Sequence, residues 1–64
     1  MFNIKLNYSA AGRFNPHDEQ MFGKRNTGVT IEASTSKEAI DKFNSTLPAG
    51  KQYNPFYLVV TKSV

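Results

Sequence analysis

The fold of this chain is decided by residues 29–47, VTIEASTSKEAIDKFNSTL, which place a strand pattern directly before a helix pattern. Apolar and polar residues alternate over residues 29–33, and β-branched residues are frequent there, as in a strand with one buried face. The run Thr35-Ser36-Lys37-Glu38 then fits a capping box, in which the Thr35 hydroxyl accepts a hydrogen bond from a backbone N–H near Glu38. The chain is therefore predicted to leave a short strand and to begin a helix at this point.

The predicted helix has one apolar stripe, and the residues between its members are mostly polar. The stripe consists of Ala39, Ile40, Phe43 and Leu47. Pro48 and Gly50 follow, and both residue types end helices. This pattern predicts an amphipathic helix that covers one face of a sheet.

Two more strand patterns lie towards the two ends of the sequence. Residues 2–8 alternate strictly between apolar and polar, which predicts a strand with one buried face. Residues 56–61 are apolar on both faces, and Asn54-Pro55 precedes them, where proline is tolerated at the head of a strand. Together with residues 29–33, these segments predict a ββαβ order.

Residues 9–28 show no sustained period and are rich in glycine, proline, asparagine and aspartate. They are predicted to form a long flexible loop between the first two strands, a kind of segment that is often functional. A short helical turn is the alternative after Asn15-Pro16, because Asn15 can cap a helix and Pro16 suits its first position.

These elements predict one α+β domain over residues 1–64, with a three-stranded mixed or antiparallel sheet and one helix on one face. The strand order 2-1-3 is preferred over 1-2-3, because the short second strand, with Glu32 directed outwards, suits an edge and the third strand can pair antiparallel with the first. The uncovered face is predicted to be half apolar and to form a contact surface. It would carry Asn3, Lys5, Asn7, Thr30, Glu32, Tyr57, Val59 and Thr61.

Composition narrows the class of protein further. The chain has 64 residues, of which 39% are apolar, and it contains no cysteine and a single histidine. The absence of cysteine excludes disulfides and thiolate metal sites, so no metal or cofactor is expected. The stability of the folded chain is expected to be modest. Association of two copies is the remaining way to stabilise so short a chain, which makes a homodimer a candidate state. No stretch has the apolar length of a signal peptide or membrane span, and a cytoplasmic location without membrane contact is expected.

Aromatic and basic residues supply the candidate binding sites. Tyr57 and Val59 are predicted to lie on the uncovered face with Lys5 nearby, where a protein contact is favoured over base stacking. The loop adds cations and aromatics in alternation, namely Arg13, Phe14, Phe22, Lys24 and Arg25. Its two phenylalanines are interpreted either as contacts or as anchors to the core, with anchoring slightly favoured. The net charge of +3 favours an acidic partner only weakly.

Two motifs superficially resemble sites of chemistry. His17-Asp18-Glu19 combines an imidazole with two carboxylates, but adjacent residues seldom reach one ion, and a solvated loop is the favoured interpretation. Residues 23–28, GKRNTG, resemble a phosphate loop, yet a strand follows them where such a loop needs a helix, so a turn is favoured. No Ser-His-acid or paired-carboxylate arrangement stands out, and the protein is predicted not to be an enzyme.

The strand-to-helix segment of residues 29–40, with a terminal Tyr57-Leu58-Val59-Val60 strand, resembles small open reading frames of bacteriophages. This resemblance covers about half of the chain. It implies a phage-encoded accessory protein that binds and modulates or inhibits a host protein in the host cytoplasm. The first hypothesis is therefore a non-catalytic protein-binding module. The alternative is a small basic nucleic-acid-binding protein that uses its lysines, arginines and Tyr57.

Overall fold

The computed structural model describes residues 1–63 of the chain, and within them it shows three strands and three α-helices. The strands are β1 (Phe2–Leu6), β2 (Val29–Ile31) and β3 (Leu58–Lys62). The helices are α1 (Tyr8–Ala11), α2 (Pro16–Phe22) and α3 (Ser36–Ser45). Two single turns of 3₁₀ helix, Ala49–Lys51 and Pro55–Tyr57, lie between α3 and β3. The predicted α+β class is confirmed.

The strands form one sheet in the order β2-β1-β3, which confirms the predicted order 2-1-3. β1 is antiparallel to both neighbours, with Ile4 opposite Val29 on one side and Val60 on the other. β2 and β3 are consequently parallel to each other, and α3 connects them across β1 as a split βαβ unit.

The core lies between the sheet and the helices. Ile4, Leu6 and Leu58 are buried on the helix side of the sheet, and Ala39 and Phe43 from α3 cover them. Phe22 from α2 completes the core, with its ring centroid 5.5 Å from that of Phe43. Thus the predicted buried faces of the first strand and of α3 are confirmed, whereas the contribution of α2 comes from the segment predicted to be a loop.

The start of α3 follows the predicted capping signal in part. The Thr35 hydroxyl accepts a hydrogen bond from the Glu38 backbone N–H at 3.1 Å, as predicted. The Glu38 carboxylate does not reach back to Thr35. It lies instead 3.4 Å from Lys42 Nζ, one turn further along the helix, where an opposite charge attracts it.

Residues 9–28 are not a structureless loop, and this prediction was wrong in its secondary structure. The Asn7 side chain accepts from the Ala10 N–H at 3.3 Å and begins α1, so Tyr8 belongs to a helix and not to the first strand. Pro16 begins α2, as the alternative interpretation proposed. Helices of four and seven residues are too short to show an apolar period in the sequence, so only the capping signal at Asn15-Pro16 pointed to one of them. The flexibility of this segment stays a prediction.

The last strand begins two residues later than predicted. The Asn54 side chain accepts from the Phe56 N–H at 2.9 Å and folds Pro55–Tyr57 into a 3₁₀ turn. This turn breaks the alternation assumed for residues 56–61. Phe56, which strict alternation would place on the same face as the buried Leu58, is instead 68% exposed.

Candidate functional site

Three exposed aromatic side chains lie at the end of the sheet where β1 stops and β3 begins. They are Tyr8, Phe56 and Tyr57, here called the aromatic surface. The rings of Phe56 and Tyr57 meet edge to face with centroids 5.4 Å apart. The 3₁₀ turn that carries them packs against α1, and the Asn7 N–H donates to the Tyr57 carbonyl at 2.8 Å. The turn and α1 therefore hold the three aromatics at one end of the molecule.

An open cleft of about 360 Å³ adjoins the aromatic surface. Its lining combines small and apolar residues with polar ones, and consists of Leu6, Ala10, Ala11, Arg13, Asn15, Asp18, Tyr53 and Tyr57. Tyr57 belongs to both the cleft and the aromatic surface. A partner side chain that enters the cleft would thus also contact the aromatic surface.

The polar wall of the cleft is a hydrogen-bonded pair from distant parts of the chain. Tyr53 Oη donates to Asp18 Oδ1 at 2.6 Å, and Asp18 Oδ2 accepts from the Asn15 N–H at 3.0 Å. Asp18 is only 8% exposed, so both of its oxygens need these donors. Burial of the Tyr53 ring, followed by its hydrogen bond to Asp18 and the charge of that carboxylate, raises the pKa of Tyr53 well above its usual range. The pair is a fixed wall in which Tyr53 stays protonated at neutral pH.

Arg13 is the cation of the cleft, and its side chain is exposed. Within residues 1–63 no carboxylate lies within ion-pair distance of its guanidinium. Asp18 is buried and already accepts two hydrogen bonds, so its negative charge is not exposed to a ligand. The positive charge of Arg13 is exposed to one. The cleft can therefore offer the five N–H donors of a guanidinium to an acceptor on a partner.

A basic turn lies on the opposite side of β1 from β3. It spans residues 23–28 and carries the exposed Lys24 and Arg25. Gly28 lies so close to β1 that a Cβ there would be 2.8 Å from the Ile4 carbonyl oxygen and 2.8 Å from Lys5 Cγ. With φ at +94°, this position suits glycine for its conformation as well. The structure thus brings Lys5 beside the turn with Lys24 and Arg25, and the turn interpretation of GKRNTG agrees with the fold.

The predicted site residues fall into separate places. Arg13 and Tyr57 come together at the cleft, while Val59 lies opposite Lys5 on the uncovered sheet face. Tyr57 is not on that face, so its predicted position was wrong, and within the strands this face is polar except for Val59. The reason is the 3₁₀ turn, which takes Tyr57 out of the strand.

The two phenylalanines predicted as contacts or anchors are placed differently from each other. Phe22 is buried in the core and contacts Phe43, so it is an anchor and not a surface contact. Phe14 is partly buried against the core, and its ring centroid lies 5.3 Å from that of Tyr8. Phe14 therefore supports the Tyr8 ring of the aromatic surface.

Sequence reasoning missed Asp18 and Tyr53 as parts of the site. The interpretation of His17-Asp18-Glu19 as a solvated loop was wrong, because Asp18 is buried in the first turn of α2. Its spacing of three residues from the cap Asn15 is the signal that could have located it. Tyr53 has no comparable signal, since its partner is 35 residues away in sequence. No cluster of three metal-ligating side chains occurs among the residues described.

Comparisons with known proteins add no relative: no family model matches the chain, and neither the curated proteins nor the solved structures give a match. In the part of the chain that the structure covers, no helix has the length and apolarity needed to cross a membrane.

Proposed function

We propose that this chain is a non-catalytic protein-binding module, and that its binding site is the aromatic surface with the adjoining cleft. The observation that carries the proposal is the exposure of Phe56 and Tyr57, at 68% and 40%, with Tyr57 lining the same cleft as a guanidinium that has no acid partner among residues 1–63. Tyrosine and arginine are enriched at the energetic centres of protein interfaces, where a large rigid side chain fills a pocket on the partner.

The position of Phe56 supports this proposal, because an aromatic ring exposed to water does not stabilise the isolated chain. Its neighbours Asn54 and Pro55 impose the turn that directs the ring outwards, and Tyr57 packs against its edge. A cluster of exposed aromatics rimmed by polar groups is typical of a surface that becomes buried on binding. We extend the proposal, on the phage resemblance, to a host protein in the cytoplasm as the partner and to its modulation or inhibition as the effect.

A second function is favoured by one separate observation, the proximity of Lys5 to the turn that carries Lys24 and Arg25. Such a cationic patch suits the phosphates of a nucleic acid. The patch has few charges, however, and the aromatic surface is not part of it. Binding through it would be weak and strongly dependent on salt.

The test uses two variants that separate the surfaces. The chain, Tyr57→Ala and the double variant Lys24→Ala/Arg25→Ala are immobilised, exposed to a host-cell lysate, and compared by quantitative mass spectrometry of the captured proteins. We expect Tyr57→Ala to weaken capture of the specific partner about 30-fold, as for the loss of a central aromatic, and the double variant to change it little.

The same three chains are titrated with duplex DNA and with single-stranded RNA at physiological salt. Weak binding that the double variant abolishes agrees with the proposal. Submicromolar affinity that falls steeply with salt and is unchanged in Tyr57→Ala would overturn it in favour of the nucleic-acid function.

A further inference from the structure

β3 lies at the edge of the sheet, and its ladder with β1 determines which backbone groups face outwards. The Asn7 N–H donates to the Tyr57 carbonyl at one end of the ladder, and the Ser63 N–H donates to the Met1 carbonyl at the other. In an antiparallel pair, hydrogen-bonded residues alternate with residues whose N–H and C=O point away. Residues 57, 59, 61 and 63 therefore face β1, and residues 58, 60 and 62 present their backbone groups to the open edge.

Five of these six outward groups have no hydrogen-bond partner within residues 1–63. The exception is the Leu58 N–H, which donates to the Pro55 carbonyl and closes the 3₁₀ turn. The free groups are the Leu58 C=O, the Val60 N–H and C=O, and the Lys62 N–H and C=O. An edge with free donors and acceptors in strand geometry is a template for another strand.

We propose that β3 pairs antiparallel with β3 of a second copy of the chain, around a twofold axis at Val60, and forms a continuous six-stranded sheet. Each Val60 N–H donates to the Val60 C=O of the other copy. Each Lys62 N–H donates to the Leu58 C=O of the other copy. The inference goes beyond the proposed function, since the aromatic surface takes no part in it.

The free backbone groups and the charge of Lys62 together select this register. If the axis is moved so that Val60 faces Leu58 of the other copy, two intermolecular hydrogen bonds are lost, because each Leu58 N–H already donates to the Pro55 carbonyl of its own chain. Moving it the other way, so that Val60 faces Lys62, sets the two Lys62 side chains diagonally across the axis, where like charges repel. With the axis at Val60, the two lysines are separated by the length of the strand. The sole outward group left unpaired is the Lys62 C=O, at the exposed end of β3.

Side chains on both faces fit a second copy better than an arbitrary strand. On the uncovered face, Val59 is 39% exposed and would lie opposite Thr61 of the other copy. Val60 would lie opposite its own equivalent on the helix face. Both are pairs of β-branched residues, which stabilise antiparallel strands. A chain of 64 residues without cysteine is also of the size that association commonly stabilises.

The experiment removes a single outward N–H by chemical synthesis. Three chains are made: the unmodified chain, one with an N-methyl group on Val60, and a control with an N-methyl group on Thr30. The control is matched, because Thr30 lies between the residues of β2 that face β1 and directs its N–H to the opposite edge of the sheet. Circular dichroism establishes that each chain is folded.

Sedimentation equilibrium then gives the mass of each chain as a function of concentration. We expect the unmodified chain and the Thr30 control to rise from 7.2 kDa towards twice that mass, and the Val60-methylated chain to stay at 7.2 kDa. A monomeric unmodified chain up to about 1 mM would overturn the proposal, since mass action favours dimers there. Equal association of the Val60-methylated chain would also overturn it.

A second measurement needs no variant. In a mixture of ¹³C-labelled and unlabelled chains, we expect an intermolecular NOE between the methyl groups of Val59 and Thr61. An associating chain that lacks this contact contradicts the proposed register.

Discussion

At the scale of single residues, Asn26 shows how one side chain can replace a strand partner. Its amide accepts from the Leu6 N–H at 3.0 Å and donates to the Leu6 C=O at 2.9 Å, as a paired strand would. β2 does not extend to this position, so the amide satisfies the backbone where the ladder ends. The left-handed φ of 53° at Asn26 is one that asparagine tolerates better than most residues. The basic turn is thereby fixed to β1.

The Tyr53–Asp18 hydrogen bond supplies the prediction at this scale. We expect Tyr53→Phe to lower the free energy of unfolding by about 1–3 kcal/mol, because it leaves a buried carboxylate oxygen of Asp18 without its donor. Urea melts at pH 7 measure the difference. Tyr8→Phe is the matched control, since the exposed Tyr8 hydroxyl makes no hydrogen bond among the described residues, and its unfolding free energy should stay within about 0.5 kcal/mol of the unmodified chain.

The pH dependence gives the same prediction a second readout. Burial and the Asp18 hydrogen bond raise the pKa of Tyr53 above the ordinary value of about 10, so the folded chain holds this proton longer than the unfolded one. The stabilisation that this pKa shift provides is fully present below about pH 10. It is lost as the pH rises from there towards the raised pKa of Tyr53 in the folded chain. Tyr53→Phe should show a smaller loss of stability over that range. An unchanged alkaline slope would contradict the assignment to Tyr53.

At the scale of elements, capping side chains begin the helices and short turns that connect the sheet. Asn7 begins α1, Thr35 begins α3 and Asn54 begins the 3₁₀ turn before β3, each with a side-chain oxygen that accepts a backbone N–H. Of the helices within residues 1–63, only α3 is long enough to bury a helical stripe of its own. The short elements depend on tertiary contacts for the rest of their stability.

Thr35 provides the prediction for an element. We expect Thr35→Ala to lower the free energy of unfolding by about 1 kcal/mol, because the Glu38 N–H loses its acceptor. Ser34→Ala is the matched control, since the Ser34 hydroxyl lies one residue earlier, is exposed and makes no hydrogen bond within residues 1–63. Denaturant melts compare the two variants. Equal, negligible effects would mean that α3 does not begin at Thr35.

At the scale of the whole molecule, six buried apolar residues among residues 1–63 hold the sheet to the helices. A core of this size supplies only a few kcal/mol of net stability in a chain of this length. The remaining apolar contacts are partly buried, and several line the surfaces proposed for binding. Loss of one central side chain should therefore affect the entire fold.

Phe43 tests this expectation. Phe43→Ala should cost about 3–5 kcal/mol, because it removes an aromatic ring packed against Phe22 and Tyr53 and leaves a cavity. That cost is comparable to the whole stability, so we expect a largely unfolded chain at 25 °C by circular dichroism and proton NMR. Phe56→Ala removes the same atoms from an exposed position and should leave the chain folded. A folded Phe43→Ala chain would contradict the expectation that so small a core cannot lose one aromatic ring.

Much of the fold could be predicted from local patterns. Alternation located β1 and β2, a capping signal and an apolar stripe located α3, and the shortness of the second strand, which suits an edge, led to the order β2-β1-β3. These features depend on neighbouring residues and on chain connectivity, both of which are visible in the sequence. Candidate cations such as Arg13 were also recognisable, because charged residues mostly stay exposed.

The tertiary structure alone decided which residues share a site. Tyr57 joins Arg13 at the cleft because a turn of three residues takes it out of the strand alternation. Asp18 is buried because Tyr53, 35 residues later, approaches and donates to it. Such pairings depend on contacts between segments that come together only after the core has formed, and no local period or spacing encodes them.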